Sequence, residues 1–501
     1  MWATFYPLLV CNLYKRGLYM SKTKKSINVS FGHNAENVTG SYTLIDCGQS
    51  GKKILIDFGL IQENLSPLKE YQANSKRPDF KVKELTYVFA THSHIDHIGR
   101  IPMLYKWGCE VPLILPYGSM SLYKEMELDS ARILEKDSLD LTKRFKKEYN
   151  PLFLVDDVYR SLEFVREYPV GKKIQLDDDI TFQFNYTGHI LKACSITFWI
   201  KNGSQTRKIC VTGDLGNISV PQKFCEDFVV PESCNLLISE CTYGDGKRAS
   251  GMKQREKDLE KLKSGIITTC VDNKASVLVP VFAYGRSPTI LSFLYDLFYE
   301  DSINGNFDIP IIFASPLGTK LLKIYEYELE GEQQEELDKV LHWKNLKILN
   351  SFEELDAELS NLKPKVLCLP SGMMAAGYSV YAASKILPSS KNLIMLCGYS
   401  AEGTLAWKIK QKKTKTINID GKPIPARCNV MNLTSFSSHM QYPDLLDILS
   451  GKEGQAYDKV ALVHGNQKSK LTFAEALKNE CSKRNKNSKI IAVTKGTVIH
   501  I

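Results

Sequence analysis

The chain has 501 residues, of which 43% are apolar and 24% charged, the balance of an ordinary globular protein. That balance excludes a disordered, collagen-like or membrane-bundle chain, and no apolar run reaches the ~20 residues that cross a bilayer. Lys and Arg number 65 against 56 Asp and Glu, a net charge of +9 that permits a polyanionic partner without demanding one. At about 100–200 residues per domain, the length suggests two or three domains. The 13 cysteines are odd in number, scattered, and never spaced Cys-x-x-Cys. A secreted disulfide framework and a Cys-ligated zinc ribbon are therefore both disfavoured, and a reducing cytoplasm is the simplest compartment.

The first nineteen residues are apolar, but Lys15 and Arg16 follow the apolar run, the wrong order for a secretory signal. Met20 reads as the natural start. From Ile27 to about Ile200 the pattern is short strands between turns. KKILIDFGLI (52–61) and LTYVFATHSH (85–94) each run from aliphatic and β-branched residues into a polar end. ITFQFNYTGH (180–189) alternates, with Ile180, Phe182, Phe184 and Tyr186 on one face. Residues 119–167 have helical spacing. RKICVTGDLGN (207–217) and CNLLISECTYGD (234–245) are two more strand-then-loop units.

Past Asp245 the texture changes. A charged amphipathic helix spans 253–264, and apolar runs then alternate with helices: ASVLVPVFAYGRS, IPIIFASP, KVLCLPSG and KNLIMLCGYS. Continuous apolar runs of this kind are buried parallel strands. From about Lys422 short strands return, with VALVHG (460–465) and IIAVTKGTVIHI (490–501). One α/β unit inserted into another explains this order better than two domains in tandem.

The chemistry concentrates in THSHIDHIGRIP (91–102), which puts His92, His94, Asp96 and His97 within six residues, just after a predicted strand. Three imidazoles and a carboxylate so close together cannot all face a core. A loop at a strand end can turn them inward around zinc, manganese or iron. Of the chain's nine histidines, His189, His439, His464 and His500 also fall at or past strand ends, as do Asp214 and Glu240. Singly each would read as an ordinary turn residue; beside His-x-His-x-Asp-His they read as further ligands.

These segments resemble the metallo-β-lactamase superfamily, and within it the β-CASP branch of RNA- and DNA-processing nucleases. That branch includes the nuclease subunit of the cleavage and polyadenylation specificity factor and RNase J. ILIDFGL carries the first motif with Asp57; THSHIDHIGRIP is similar to the second, GHILKACS to the third and VTGDLGN to the fourth. SECTYGD, SFSSHMQYPDLL and LVHGN resemble motifs A, B and C, while PVFAYGRS, FASPLG, PSGMMAAG and GYSAEGTL resemble segments of the inserted domain. The resemblance implies an αββα metallo-β-lactamase sandwich (20–245 and 422–501) with an inserted α/β β-CASP domain (246–421).

It also implies a two-zinc site, with manganese as the alternative occupant. His92, His94 and His189 would hold one ion, Asp96, His97 and His464 the other, and Asp214 would bridge them. A hydroxide shared by the ions would attack an RNA phosphodiester. The implied catalytic set is His439, Glu240 and Asp96: His439 would protonate the leaving oxygen while Glu240 holds its other nitrogen. Asp57 would orient the ligands. His464 in motif C goes with the RNA-processing members, so single-stranded RNA is the expected partner, and the resemblance admits a homodimer. A hydrolase acting on DNA or a small ester, and a non-catalytic scaffold, are the rival readings; the full complement of seven ligand positions argues against the scaffold.

Several positions depart from the family pattern. Lys192 stands where glycine is usual, Cys241 replaces a serine, Asn466 an acid and Tyr378 an arginine. The glycine-rich PSGMMAAG and FASPLG are equally compatible with phosphate contact and with plain turn geometry. Arg286 reads slightly better as the partner of a buried carboxylate than of phosphate, and the basic stretches 141–149 and 253–263 read as solvated helix faces.

Overall fold

The computed structural model describes residues 25–501 except 64, 249–250, 399, 401–402 and 412–413. The expectation that the chain starts at Met20 lies outside the described residues. Two seven-stranded sheets face each other. In the first the order is Val498–His500, Asn28–Phe31, Thr43–Asp46, Lys53–Ile56, Tyr87–Phe89, Leu113–Pro116 and Val165–Tyr168. In the second it is Lys489–Ala492, Tyr457–Val463, Cys234–Glu240, Gln205–Val211, Cys194–Asn202, Ile180–Tyr186 and Ile174–Gln175.

Alternation explains the seam. Ile180, Phe182 and Phe184 point inward and are buried, as the sequence predicts, while Tyr186 at the strand end is half-buried. They meet Ile54, Ile56, Phe89 and Ile114 of the opposite sheet. Phe89 is the centre of this layer, its ring 5.1 Å from Phe182 and 5.0 Å from Phe198, both edge-on. Helices cover the outer faces. Ile101–Lys106 and Met120–Phe145 pack on the first sheet, Tyr442–Leu449 and Gln467–Lys483 on the second. The result is the four-layered sandwich expected.

The insert is a third, all-parallel sheet ordered Leu346–Leu349, Ile311–Ala314, Val366–Leu369, Val277–Pro280, Leu393–Leu396 and Asn429–Asn432. Its strands read as unbroken apolar runs because both faces are covered. In Val277–Pro280, Val277 and Val279 join one cluster and Leu278 the other. The last strand, Asn429–Asn432, lies beyond the boundary expected at 421/422, so this sheet extends past it. The returning short-strand texture carries no mark of which sheet a strand will join. The C-terminal run splits similarly: Lys489–Ala492 adds to the second sheet and, after a turn, Val498–His500 to the first.

Among the described residues no helix is long and apolar enough to cross a membrane, and the described cysteines are buried. The helix Met252–Ile266 is not a wholly solvated face. Arg255 and Asp258 are buried on its inner side, Arg255 donating to the Ser435 carbonyl at 2.9 Å and Asp258 accepting from Ser435 N–H at 2.8 Å.

Candidate metal centre

The site lies where strand ends of both sheets meet the insert. The strand Lys53–Ile56 ends at Asp57, Tyr87–Phe89 leads to the histidine loop, Gln205–Val211 leads to Asp214, Cys234–Glu240 ends at Glu240, and Tyr457–Val463 is followed by His464. Two close approaches lock the loops together. A methyl group on Gly59 would lie 1.6 Å from the Asp96 carbonyl oxygen, and one on Gly216 would lie 2.1 Å from that of Gly188. Asp57 and His464 have φ of +60° and +51°, a region uncommon for residues with a Cβ that recurs at functional sites.

All the expected ligands converge. His94 Nδ1 is 3.0 Å from His92 Nε2 and 3.4 Å from His189 Nε2. Asp214 Oδ2 is 3.6 Å from His92 Nε2 and 3.5 Å from His189 Nε2. In the second group His464 Nε2 is 3.3 Å from His97 Nε2 and 3.4 Å from Asp96 Oδ2. Asp214 Oδ1 turns toward this group, 3.3 Å from His97 Nε2 and 3.5 Å from His464 Nδ1. Tetrahedral ligands ~2.0–2.1 Å from a zinc ion stand ~3.3–3.4 Å apart, so these spacings are those of ligand edges.

Three further observations fit divalent cations. Asp214 Oδ1 is buried and forms no hydrogen bond although imidazole nitrogens surround it. Burial pushes His92 and His189 well below the ordinary imidazole value and His94 down to about 4, which keeps their lone pairs free. Burial opposes the charge on Asp214 too, but His464 and His97 outweigh it and hold the carboxyl well below the usual range. The residues present therefore form a donor set that could hold metal: His92, His94, His189 and Asp214 in one group, Asp96, His97 and His464 in another with Asp214 beside it, and Asp214, Glu240 and His439 in a third.

A second ring of groups aims these donors. Asp57 Oδ2 lies 2.8 Å from His97 Nδ1, which leaves Nε2 facing the cluster. Thr91 fixes Asp57 in turn: its N–H donates at 2.8 Å and its hydroxyl at 2.9 Å. Glu240 accepts from Leu215 N–H at 2.6 Å, from the Thr242 hydroxyl and from His439 Nδ1 at 3.1 Å. Burial disfavours the charged form of His439, but Glu240 and Asp214 outweigh it and push His439 up to about 10. Thr242 Oγ1 is also 3.1 Å from His464 Nδ1, so one hydroxyl joins the two groups. Sequence reading missed Thr91 and Thr242. Their only signal is adjacency, one just before His92 and the other two residues after Glu240. His500 stays outside the cluster, its Nδ1 2.7 Å from Asn28 Oδ1.

The centre opens into a cleft of about 320 Å³ walled by the insert. Tyr284 packs on His94 at 5.4 Å, and Phe282, Arg286, Ser371 and Met373 line the far side. Among the described residues Arg286 does not find the carboxylate expected of it. It donates to the Cys397 carbonyl at 3.0 Å and stacks on Phe282 at 4.8 Å. Of the two glycine-rich segments only 371–375 lines the cleft; in the other, Ser315 caps the helix Pro316–Glu328.

The departures also have places. Lys192 has φ +60°, which explains the usual glycine, and its Nζ lies 3.4 Å from Glu226 and 3.2 Å from Glu328 of the insert. Asn466 caps the helix Gln467–Lys483, its side chain accepting from Ser469 N–H at 2.9 Å. Cys241 is buried, its N–H 3.3 Å from the His464 carbonyl. Tyr378 packs 6.0 Å from Phe352 and does not line the cleft.

A four-layered sandwich with histidines and carboxylates converging at its strand ends is the architecture of a metallohydrolase. Comparison with known proteins agrees along the chain: the metallo-β-lactamase superfamily matches residues 36–181, the Beta-Casp domain 289–409, and the Zn-dependent metallo-hydrolase RNA specificity domain 423–491. The chain belongs to the metallo-β-lactamase superfamily, in its β-CASP branch. It is 27% identical over 455 residues to a ribonuclease of Thermus thermophilus, covering 90% of this chain and 95% of that one. It is also 27% identical to the cleavage and polyadenylation specificity factor subunit 3-II of Arabidopsis thaliana, over 86% of this chain and 66% of that one. With an endoribonuclease of Saccharomyces cerevisiae it shares 25% identity over 83% of its length and 52% of the relative's. The chain thus spans two thirds or less of these two longer relatives.

Proposed function

We propose that this chain is a metal-dependent ribonuclease that hydrolyses RNA phosphodiester bonds with two divalent ions, zinc by ligand type and manganese as the alternative. The observation that carries the reading is Asp214, buried between two sets of imidazoles with one oxygen turned to each. His92, His94 and His189 would hold one ion, Asp96, His97 and His464 the other, with Asp214 common to both. Ions there would supply positive charge against the phosphate oxygens and a water acidified to a pKa of about 7.

The chain's own groups do the rest. Water adds across the P–O bond, and the departing sugar oxygen needs a proton as that bond breaks. His439 stands at the cleft wall with Nδ1 held by Glu240, which leaves its other ring nitrogen to deliver that proton. Glu240 is a positioning residue, itself fixed by Leu215 and Thr242. The named activity of the Thermus relative, which the chain matches nearly end to end, supports RNA as substrate.

The test is to incubate metal-loaded protein with single-stranded RNA, a DNA of the same sequence and a chromogenic ester. Cleavage of the RNA is the expected result. Turnover of the ester alone, or of none of the three, overturns the proposal.

A further inference from the structure

A run of basic residues crosses the end of the insert into the returning sandwich. Residues 403–443 hold seven Lys or Arg and a single acid, Asp420, which is six of the chain's net +9. Some lysines elsewhere are held by carboxylates: Lys52 lies 2.7 Å from both Asp177 and Asp179, and Lys320 lies 2.6 Å from Glu125. Lys408, Lys410, Lys415, Lys422 and Arg427 are exposed, and among the described residues no carboxylate pairs with any of them.

Their placement follows from the cleft wall. The helix Leu405–Gln411 starts against it, Ala406 N–H donating at 3.3 Å to the carbonyl of Met373, a cleft-lining residue. Lys408 and Lys410 lie on this helix. Trp407, half-buried, sits three residues before Lys410 and so shares its face. The chain then forms the hairpin Thr416–Ile419 and Lys422–Pro425, anchored by buried Ile417 and Ile419 in the core beneath the helix. Arg427 follows, its N–H donating to Leu387 O at 2.9 Å. The cations are thus mounted on a packed surface. None of the large exposed apolar side chains of the described residues falls in 403–443. A protein interface needs such anchors; a phosphate backbone does not.

We propose that these exposed cations form a docking track for single-stranded RNA leaving the cleft, gripped by its phosphates without regard to sequence. The proposal rests on the RNA reading above and extends it to substrate outside the cleavage site. The test compares the full chain with its K408Q/K410Q/K415Q/K422Q/R427Q variant, checked by circular dichroism for an unchanged melt. Binding is read, with the metal chelated so that the RNA stays whole, by fluorescence anisotropy on labelled single-stranded RNAs of about 40 and about 6 nucleotides across a salt series, and cleavage of the short RNA is read separately on metal-loaded protein. The variant is expected to bind the long RNA about tenfold more weakly at low salt, with a log–log salt slope smaller by up to ~3.5, at ~0.7 for each phosphate no longer neutralised. Its affinity for the short RNA and its rate of cleaving it stay at wild-type values. Unchanged binding of both RNAs, or equal weakening of both, overturns the track; unchanged RNA binding with loss of polyglutamate binding assigns the face to an acidic protein instead. Because binding is read without turnover, a wild-type chain that grips long RNA through these cations but cuts nothing refutes the nuclease and leaves the track standing.

Discussion

Replacing Glu240 by Gln separates proton delivery from the rest of the site. Glu240 is 2% exposed and its two oxygens take three hydrogen bonds, from Leu215, Thr242 and His439. The amide keeps the shape and one oxygen but loses the charge that holds His439 as a donor. A hydrogen bond between charged groups contributes about 1.5–3 kcal/mol, so single-turnover cleavage of RNA should slow by roughly 10- to 150-fold. The loss should shrink several-fold on a nucleotide p-nitrophenyl phosphodiester, whose leaving oxygen departs without a proton. Metal content, measured on the same preparation, should not change. An equal loss on both substrates, or none on either, refutes the role given to His439 and Glu240.

Other perturbations follow from the same geometry. Asp57→Asn weakens the group that turns His97 inward, and metal affinity measured against a chromogenic chelator should drop about 10- to 100-fold; unchanged affinity would contradict the orienting role. Glu127 is fully buried in the helix Met120–Phe145 with neither oxygen hydrogen-bonded, and burial raises its carboxyl well above the usual range. A raised carboxyl favours the protonated folded chain, so stability is fully present below the unfolded value of about 4.3 and falls as pH rises, until the raised folded value is passed. Glu127→Gln should therefore raise the melting temperature at pH 8 and leave it nearly unchanged at pH 4, as read by thermal scans; a pH-independent offset would refute the argument.

The site was more legible in the sequence than the fold around it. His92, His94, Asp96 and His97 announce themselves because four donors in six residues have no use in a core. His189, Asp214 and His464 join them because each follows an apolar strand at a turn. Thr91 and Thr242 were invisible, since a lone threonine beside a motif has no distinguishing pattern; only the hydrogen bonds to Asp57 and Glu240 give them a role. Arg286 misled because an arginine after a buried strand usually needs a carboxylate, whereas here a carbonyl and the Phe282 ring suffice. The strands Asn429–Asn432 and Val498–His500 show the limit for the fold. Period-2 alternation makes a strand recognisable, but its sheet is chosen by pairing with residues far away in the chain.

Elemental analysis of the purified wild-type chain and of Asp214→Ala, run beside the RNA cleavage assay, tests the central claim most directly. The account predicts two divalent ions per wild-type chain, and in the variant a depleted site with no cleavage by a chain that still melts cooperatively. A metal-free wild-type chain that cuts RNA, or an Asp214→Ala chain that cuts at the wild-type rate, would contradict it.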